Sequence, residues 1–456
     1  MPPSVPLKRL LTGLGWLLSL CPLLAQPPSQ LRLLVQDYLQ RSPSLKARQY
    51  ETAAARQQSR ILKTARLPTL DATAQANVAT YNNLTGMFYP TGILPISGPP
   101  STGNNFSPVT GTALGGLLNW SPFTFGALDS RLAVAEAELN ARLAEETDEQ
   151  LRIQVATAGA YLDALLGQEL VKITAQNTAR VDSLLRQVKA LVVQGLRPEV
   201  DTALTVTELS RAETEQINAR AQAEAARIRL AEWLARPDTA LILTDTLLLT
   251  RTPASATAPT DGPHPTERIF QSRISVETAR IDQIRHQYRP KLTFWGTAYA
   301  RGSGIDYRGD VQFADGLLFS RYNYGAGVHL AWPLLRGAER SALLTQQDFR
   351  IRAAAEQLAQ TQLTLGSQRR SATLLRQQAE AVARQLPRQV AAARQALTGL
   401  ELRYRSGLVN LTDVLQAQYT LLRAETDQKA AVLAVWRSLL LESYATGTLT
   451  PFLQAL

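Results

Sequence analysis

Two periodicities divide this chain. From Leu70 to Val78, the residues Leu70, Ala72, Ala74, Ala76 and Val78 alternate with Asp71, Thr73, Gln75 and Asn77. Further on, Tyr322, Tyr324, Ala326, Val328, Leu330 and Trp332 alternate with Asn323, Gly325, Gly327, His329 and Ala331. A period of two puts one set on each face of a strand. The apolar set suits lipid and the small polar set a wet lumen, although a half-buried soluble sheet carries the same alternation. Each run is about ten residues, the length a tilted strand needs to cross a bilayer. Two less regular strands are expected near Leu114–Trp120 and Leu292–Ala300.

The second pattern is helical and long. Residues 127–194 and 338–406 run without interruption between Gly126 and Gly195 and between Gly337 and Gly407. At 1.5 Å per residue each would extend about 100 Å. Both are dense in Ala, Leu, Gln, Arg and Glu, a composition for side-by-side coiled packing in water, and neither is apolar enough for lipid. Pro387 is predicted to kink the second. Helices at 198–235 and 409–446 return along them as antiparallel hairpins. Gly195 and Gly407 supply the positive φ that a tight reversal requires.

The two halves repeat. Ser210–Gln216 (SRAETEQ) matches Leu422–Gln428 (LRAETDQ) at an offset of 212 residues, which also superposes Gly195-Leu196 on Gly407-Leu408, Asp201 on Asp413 and Trp120 on Trp332. Pro68 in Arg66–Leu70 pairs with Pro290 in Arg289–Leu292. The first repeat spans 26–235, with strands near 68–80 and 112–122. The second spans 267–449, with strands near 290–301 and 322–333. Between them, 236–266 is a Pro/Thr-rich connector with room for a short strand at Leu241–Leu249, and 450–456 form a tail. Residues 1–25 have the layout of an export signal: Lys8 and Arg9, an apolar run from Leu10 to about Leu24, then Ala25. Leu18–Cys21 also has the outline of a lipidation box, with Cys21 as acceptor, but Leu20 stands where a small residue is needed, so cleavage after Ala25 is favoured.

Composition narrows the function. Cys21 is the single cysteine of 456 residues, which excludes a disulfide scaffold and Cys-based zinc sites; three scattered histidines leave little for a metal centre. The net charge of +10 comes almost wholly from Arg spread along helices beside Glu and Gln, unlike the clustered patch that nucleic acid requires. Neither a phosphate-binding loop nor a nucleophile motif is present, so no enzyme or cofactor is expected.

Four strands cannot close a barrel, and open edges cannot sit in lipid. Other subunits must complete the sheet, and three protomers give twelve strands. Residues 81–111 and 302–321 are long and polar, as extracellular barrel loops are. Trp120, Phe123, Trp295, Tyr322, Tyr324 and Trp332 cluster at the strands as an aromatic girdle would.

With these features the sequence resembles the TolC-like outer-membrane efflux family. The resemblance is carried by the duplicated Pro-strand openings, the strand-Trp-Gly-helix junctions, the tips Gly195-Leu196…Asp201 and Tyr404–Leu415 (YRSGLVNLTDVL), and Ser42-Pro43-Ser44-Leu45, which is similar to the family's Asn-Pro-x-Leu. It implies a mainly α protein with membrane β. Four transmembrane strands and long helical hairpins per protomer would assemble as a homotrimer, whose 12-strand β-barrel continues into a 12-helix periplasmic α-barrel. It also implies a passive exit duct of a tripartite efflux or type I secretion system, in the outer membrane of a Gram-negative cell, docked onto a periplasmic adaptor and an inner-membrane pump. By resemblance Asp201 and Asp413 match aspartates that line the closed periplasmic entrance. The family often has a second carboxylate one turn beyond Asp413, where this chain has Gln416. Arg197 and Arg405 flank the turns, placed to pair with those aspartates, whose alternative role is helix N-capping. Leu196 and Leu408 correspond to adaptor contacts, or pack inside the hairpins. A periplasmic adaptor or a structural envelope coiled coil is the rival reading. An adaptor would carry one hairpin between β-domains, and neither rival accounts for paired amphipathic strands.

Overall fold

A computed structural model describes residues 29–82, 100–235, 243–253 and 262–456. The expected export signal with Cys21, and about half of the 236–266 connector, lie outside the described residues. The order is α1 Gln30–Arg41, α2 Pro43–Thr64, β1 Thr69–Thr80, β2 Pro108–Phe123, α3 Ala127–Val193, α4 Val200–Trp233, a 3-10 turn Thr246–Leu249, α5 Pro265–Gln287, β3 Lys291–Ser303, a 3-10 turn Phe313–Leu317, β4 Arg321–Ala331, α6 Gly337–Arg405, α7 Leu411–Thr446 and α8 Thr450–Ala455. Where a strand was expected up to Leu249, the chain makes a 3-10 turn. Its leader Asp245 is engaged instead: the carboxylate accepts the amides of Gln30 and Leu31 and the Tyr161 hydroxyl, while Leu248 and Leu249 are buried. The expected tail is mostly helix α8, with Phe452 fully buried in contact with Trp436. α6 runs as one helix through Pro387.

Local chemistry sets the helix starts. Ser42 caps α2 by accepting the Leu45 amide, and Pro43 occupies the first helical position, where no amide is needed. This is the physical content of the Ser-Pro-Ser-Leu motif.

Packing follows a heptad. Thr205, Ala212, Ala219 and Ala226 are buried on α4; Ala383, Val390, Leu397 and Tyr404 on α6; Ala417, Ala424, Ala431, Ser438 and Ala445 on α7. A seven-residue repeat keeps a seam facing its partner by left-handed supercoiling. Small seam residues bring the axes close: a Cβ on Gly167 of α3 would lie 2.9 Å from the Ala223 Cα of α4. α2 flanks the start of α3, where Arg66 meets Asp129 at 2.6 Å, and α4 flanks the remainder. α5 and α7 divide α6 in the same way, and α3 touches both, joining the halves. The main core lies where α1, α3, α4, α7 and α8 meet, around Tyr161, Leu165, Leu230 and Trp436.

The sheet is antiparallel in the order β1-β2-β3-β4. Ala72 pairs with Gly116, Gly116 with Ala298, and Ala298 with Tyr324, so these share a face. The same face takes Leu70, Val78, Leu114, Leu118, Tyr322, Val328 and Leu330, and the pairs Trp120–Phe294 and Phe123–Leu292. The other face takes Asp71, Gln75, Asn77, Arg301, Arg321 and His329, and holds a cavity of about 310 Å³ lined by Thr73, Gln75, Tyr299 and Arg301. Trp295 therefore leaves the girdle. It pairs with Gly327 and sits on the polar face, because the Trp120–Phe294 register gives the apolar face to the even-numbered residues of β3.

Gly167→Leu should lower the thermal unfolding midpoint followed by far-UV circular dichroism, through an overpacking cost of about 1–3 kcal/mol. The same change at solvent-open Gly366 should cost no stability.

Candidate functional site

The candidate site is the pair of helical tips, built from two turns of the same form. α3 ends with Leu196 N–H donating to Leu191 C=O at 2.9 Å, and α6 with Leu408 N–H donating to Arg403 C=O at 2.9 Å. Gly195 and Gly407 sit at φ +72° and +81°. No atom lies within 4 Å of where their Cβ would be, so backbone conformation alone selects glycine. Leu196 and Leu408 are 65% and 73% exposed, which rules out packing inside the hairpins.

The two aspartates, equivalent in sequence, occupy different environments. Asp201, in the first turn of α4, is buried and its Oδ2 accepts the Tyr404 hydroxyl at 2.7 Å. Tyr404 belongs to the last turn of α6, so this bond ties one hairpin to the other. Asp413 is exposed at the start of α7, where it forms a capping box with Asn410. Gln416 is exposed one turn on.

The arginines do not pair with these aspartates. Arg197 lies over the Tyr404 ring, 4.1 Å from its centroid, and donates to the carbonyls of Tyr404 and Val409. Arg405 donates to Gln187 Oε1 of α3 at 2.9 and 3.2 Å. The reason is spacing: Asp201 is already engaged by Tyr404, and Asp413 faces its own cap. Each arginine therefore reaches from its own hairpin to the other. Above them Glu425 of α7 bridges Arg180 of α3 (3.1 Å) and Arg394 of α6 (2.9 Å).

Tyr404 is the residue that motif reading passed over. A tyrosine on the buried seam of a last helical turn needs a partner for its hydroxyl, and the 383, 390, 397, 404 spacing was the available signal. Burial first, then the hydrogen bond to Asp201 and its charge, push the Tyr404 phenol upward, against the opposing Arg197. A phenol held above its unfolded value keeps its proton when folded. Its contribution is complete below the unfolded pKa of about 10 and fades as pH rises above that value.

Among the described residues no helix is long and apolar enough to cross a membrane, and no group of His, Cys, Asp or Glu is placed to hold a metal ion. A four-stranded amphipathic sheet on two long hairpins defines an outer-membrane channel subunit. The chain belongs to the outer membrane efflux protein family, whose profile matches residues 34–236 and 270–439. Solved channels share the fold. OprN aligns with a TM-score of 0.70 at 19% identity, covering 91% of this chain and 89% of that one. CusC gives 0.73 at 14%, covering 92% of each chain. VceC from Vibrio cholerae gives 0.69 at 17%, covering 92% of this chain and 96% of that one. No curated protein matches the sequence significantly. The protein is an outer-membrane efflux channel that extends into the periplasm and catalyses no reaction.

Replacing Tyr404 by Phe leaves buried Asp201 without its donor and should cost about 1–3 kcal/mol in a urea titration. The double variant with Asp201→Asn should cost less than the sum of the two single changes. The loss of stability above about pH 10 should be shallower in Tyr404→Phe than in the parent chain.

Proposed function

We propose that this chain forms, as a homotrimer, the passive exit duct of a tripartite efflux or secretion system, and that its periplasmic mouth is closed by ties between the two hairpin tips. The observation that carries this reading is the Tyr404 hydroxyl on buried Asp201, with Arg197 stacked on the same ring and bonded to the backbone of the second hairpin. Opening needs the hairpin tips to separate, and these bonds are the ones separation breaks.

The two aspartates then divide the work. Asp201 is a latch and Asp413 a pore lining. Three exposed Asp413 carboxylates around a narrow bore set a negative potential that favours cations. Gln416 contributes no charge one turn further, so the ring is a single carboxylate deep. Leu196 and Leu408, apolar and exposed at the very tips, are the surface offered to a periplasmic adaptor, which in turn brings an inner-membrane pump.

Single-channel recording in planar bilayers tests this. Tyr404→Phe combined with Arg197→Ala should raise conductance, because the latch is lost. Asp413→Asn should leave the latch alone and weaken block by multivalent cations. Unchanged conductance in the first variant together with unchanged block in the second would overturn the gate assignment.

A further inference from the structure

The segment between β3 and β4, Gly304–Ser320, does not stand clear of the sheet as a polar extracellular loop would. It folds back over β2 and β3, and it does so on the apolar face. Thr110 and Thr112 project from that face, on the same side as Leu114 and Leu118. Thr110 donates its hydroxyl to the Phe313 carbonyl, and Thr112 donates to the Gly316 carbonyl at 3.0 Å. Gly304 N–H donates to Thr110 C=O at 2.8 Å, Gln312 N–H to Gly304 C=O at 2.8 Å, and Ser320 N–H to Arg301 C=O at 3.0 Å. Glycine makes the seat possible: a Cβ on Gly316 would collide with the Thr110 backbone, and one on Gly302 with the Leu318 carbonyl.

What this seat presents outward is largely apolar, with Gln312 and Asp315 the polar exceptions beside it. Phe313 is 48% exposed, Leu317 58%, Leu318 74% and Phe319 42%. The patch is continuous with the face carrying Tyr322 and Tyr324, at the end of the sheet remote from the helices. Irregular backbone can lie at membrane depth only if its polar groups find partners in the protein, and several of this segment's polar groups do. We infer that Gly304–Ser320 is an interfacial anchor, holding Phe313, Leu317, Leu318 and Phe319 against the hydrocarbon of the outer leaflet. The occupant is lipid because the patch extends the membrane-facing surface of the barrel. β2 and β3 are the middle strands, so a neighbouring protomer, which meets β1 and β4, is not what covers it. The inference rests on the channel reading above.

Lipid quenching of a site-specific fluorophore tests it. Single cysteines are placed at Leu318, Tyr324 and Asp310 in a full-length Cys21→Ser background. Each is labelled with an environment-sensitive dye and reconstituted into phosphatidylcholine vesicles containing doxyl-labelled lipid. The Leu318 probe should be blue-shifted and quenched to at least half the extent of the membrane-facing Tyr324 probe, while the Asp310 probe, on the exposed turn, stays water-like. Gly316→Val, which unseats the segment, should abolish quenching at Leu318 and spare it at Tyr324. Quenching at Tyr324 without quenching at Leu318 overturns the anchor and leaves the barrel intact. Absence of quenching at both overturns the anchor and the membrane barrel together. Quenching at Leu318 that survives Gly316→Val overturns the seat described here.

Discussion

The constraint on which everything else depends is the pair of outer backbone edges, on β1 and β4, that no other strand meets among the described residues. Each exposed amide or carbonyl in hydrocarbon costs several kcal/mol, and a bilayer offers no water to relieve it. A four-stranded sheet with one predominantly apolar face and open edges cannot remain in lipid as a monomer. The edges must be met by the edges of neighbouring copies, and the hairpins suspended from each sheet are then carried into a ring. The membrane part thereby dictates the arrangement of the aqueous part, although the helices account for most of the chain.

Within that ring the helices are held by seams rather than by one central core. Alanine-rich heptads on α4 and α7 give close contact and little side-chain bulk. The stronger polar ties are concentrated at the Glu425 bridge and at the Asp201–Tyr404 tip. The protomer is thus bound together by the five-helix core around Tyr161 and Trp436, and its two hairpins are joined at the tip by a few specific bonds.

Much of the fold was legible because its signals are periodic and repeated. The alternation of Leu70–Val78 and of Tyr322–Trp332, the paired glycines and the offset of 212 residues each report local geometry directly. What was not legible depended on register or on distant partners. Trp295 was assigned to the wrong face because its strand alternates poorly, and only pairing with Gly327 fixes its side. Asp201 and Asp413 were read as equivalent because the repeat aligns them. Their difference arises from Tyr404, more than two hundred residues from one of them and nine from the other. Arg197 and Arg405 were expected to meet carboxylates by proximity in sequence, whereas each crosses to the opposite hairpin.

One feature of the waist bears on how such a molecule is made. α8 puts Phe452 beneath Trp436, and Arg32 of α1 donates to the carbonyl of Leu453, so the first and last described helices are stitched to each other. A polypeptide made from its amino terminus offers α1 long before α8. The girth of the protomer is consequently sealed only when α8 has reached both α7 and α1, and a chain without α8 lacks the buried aromatic stitch.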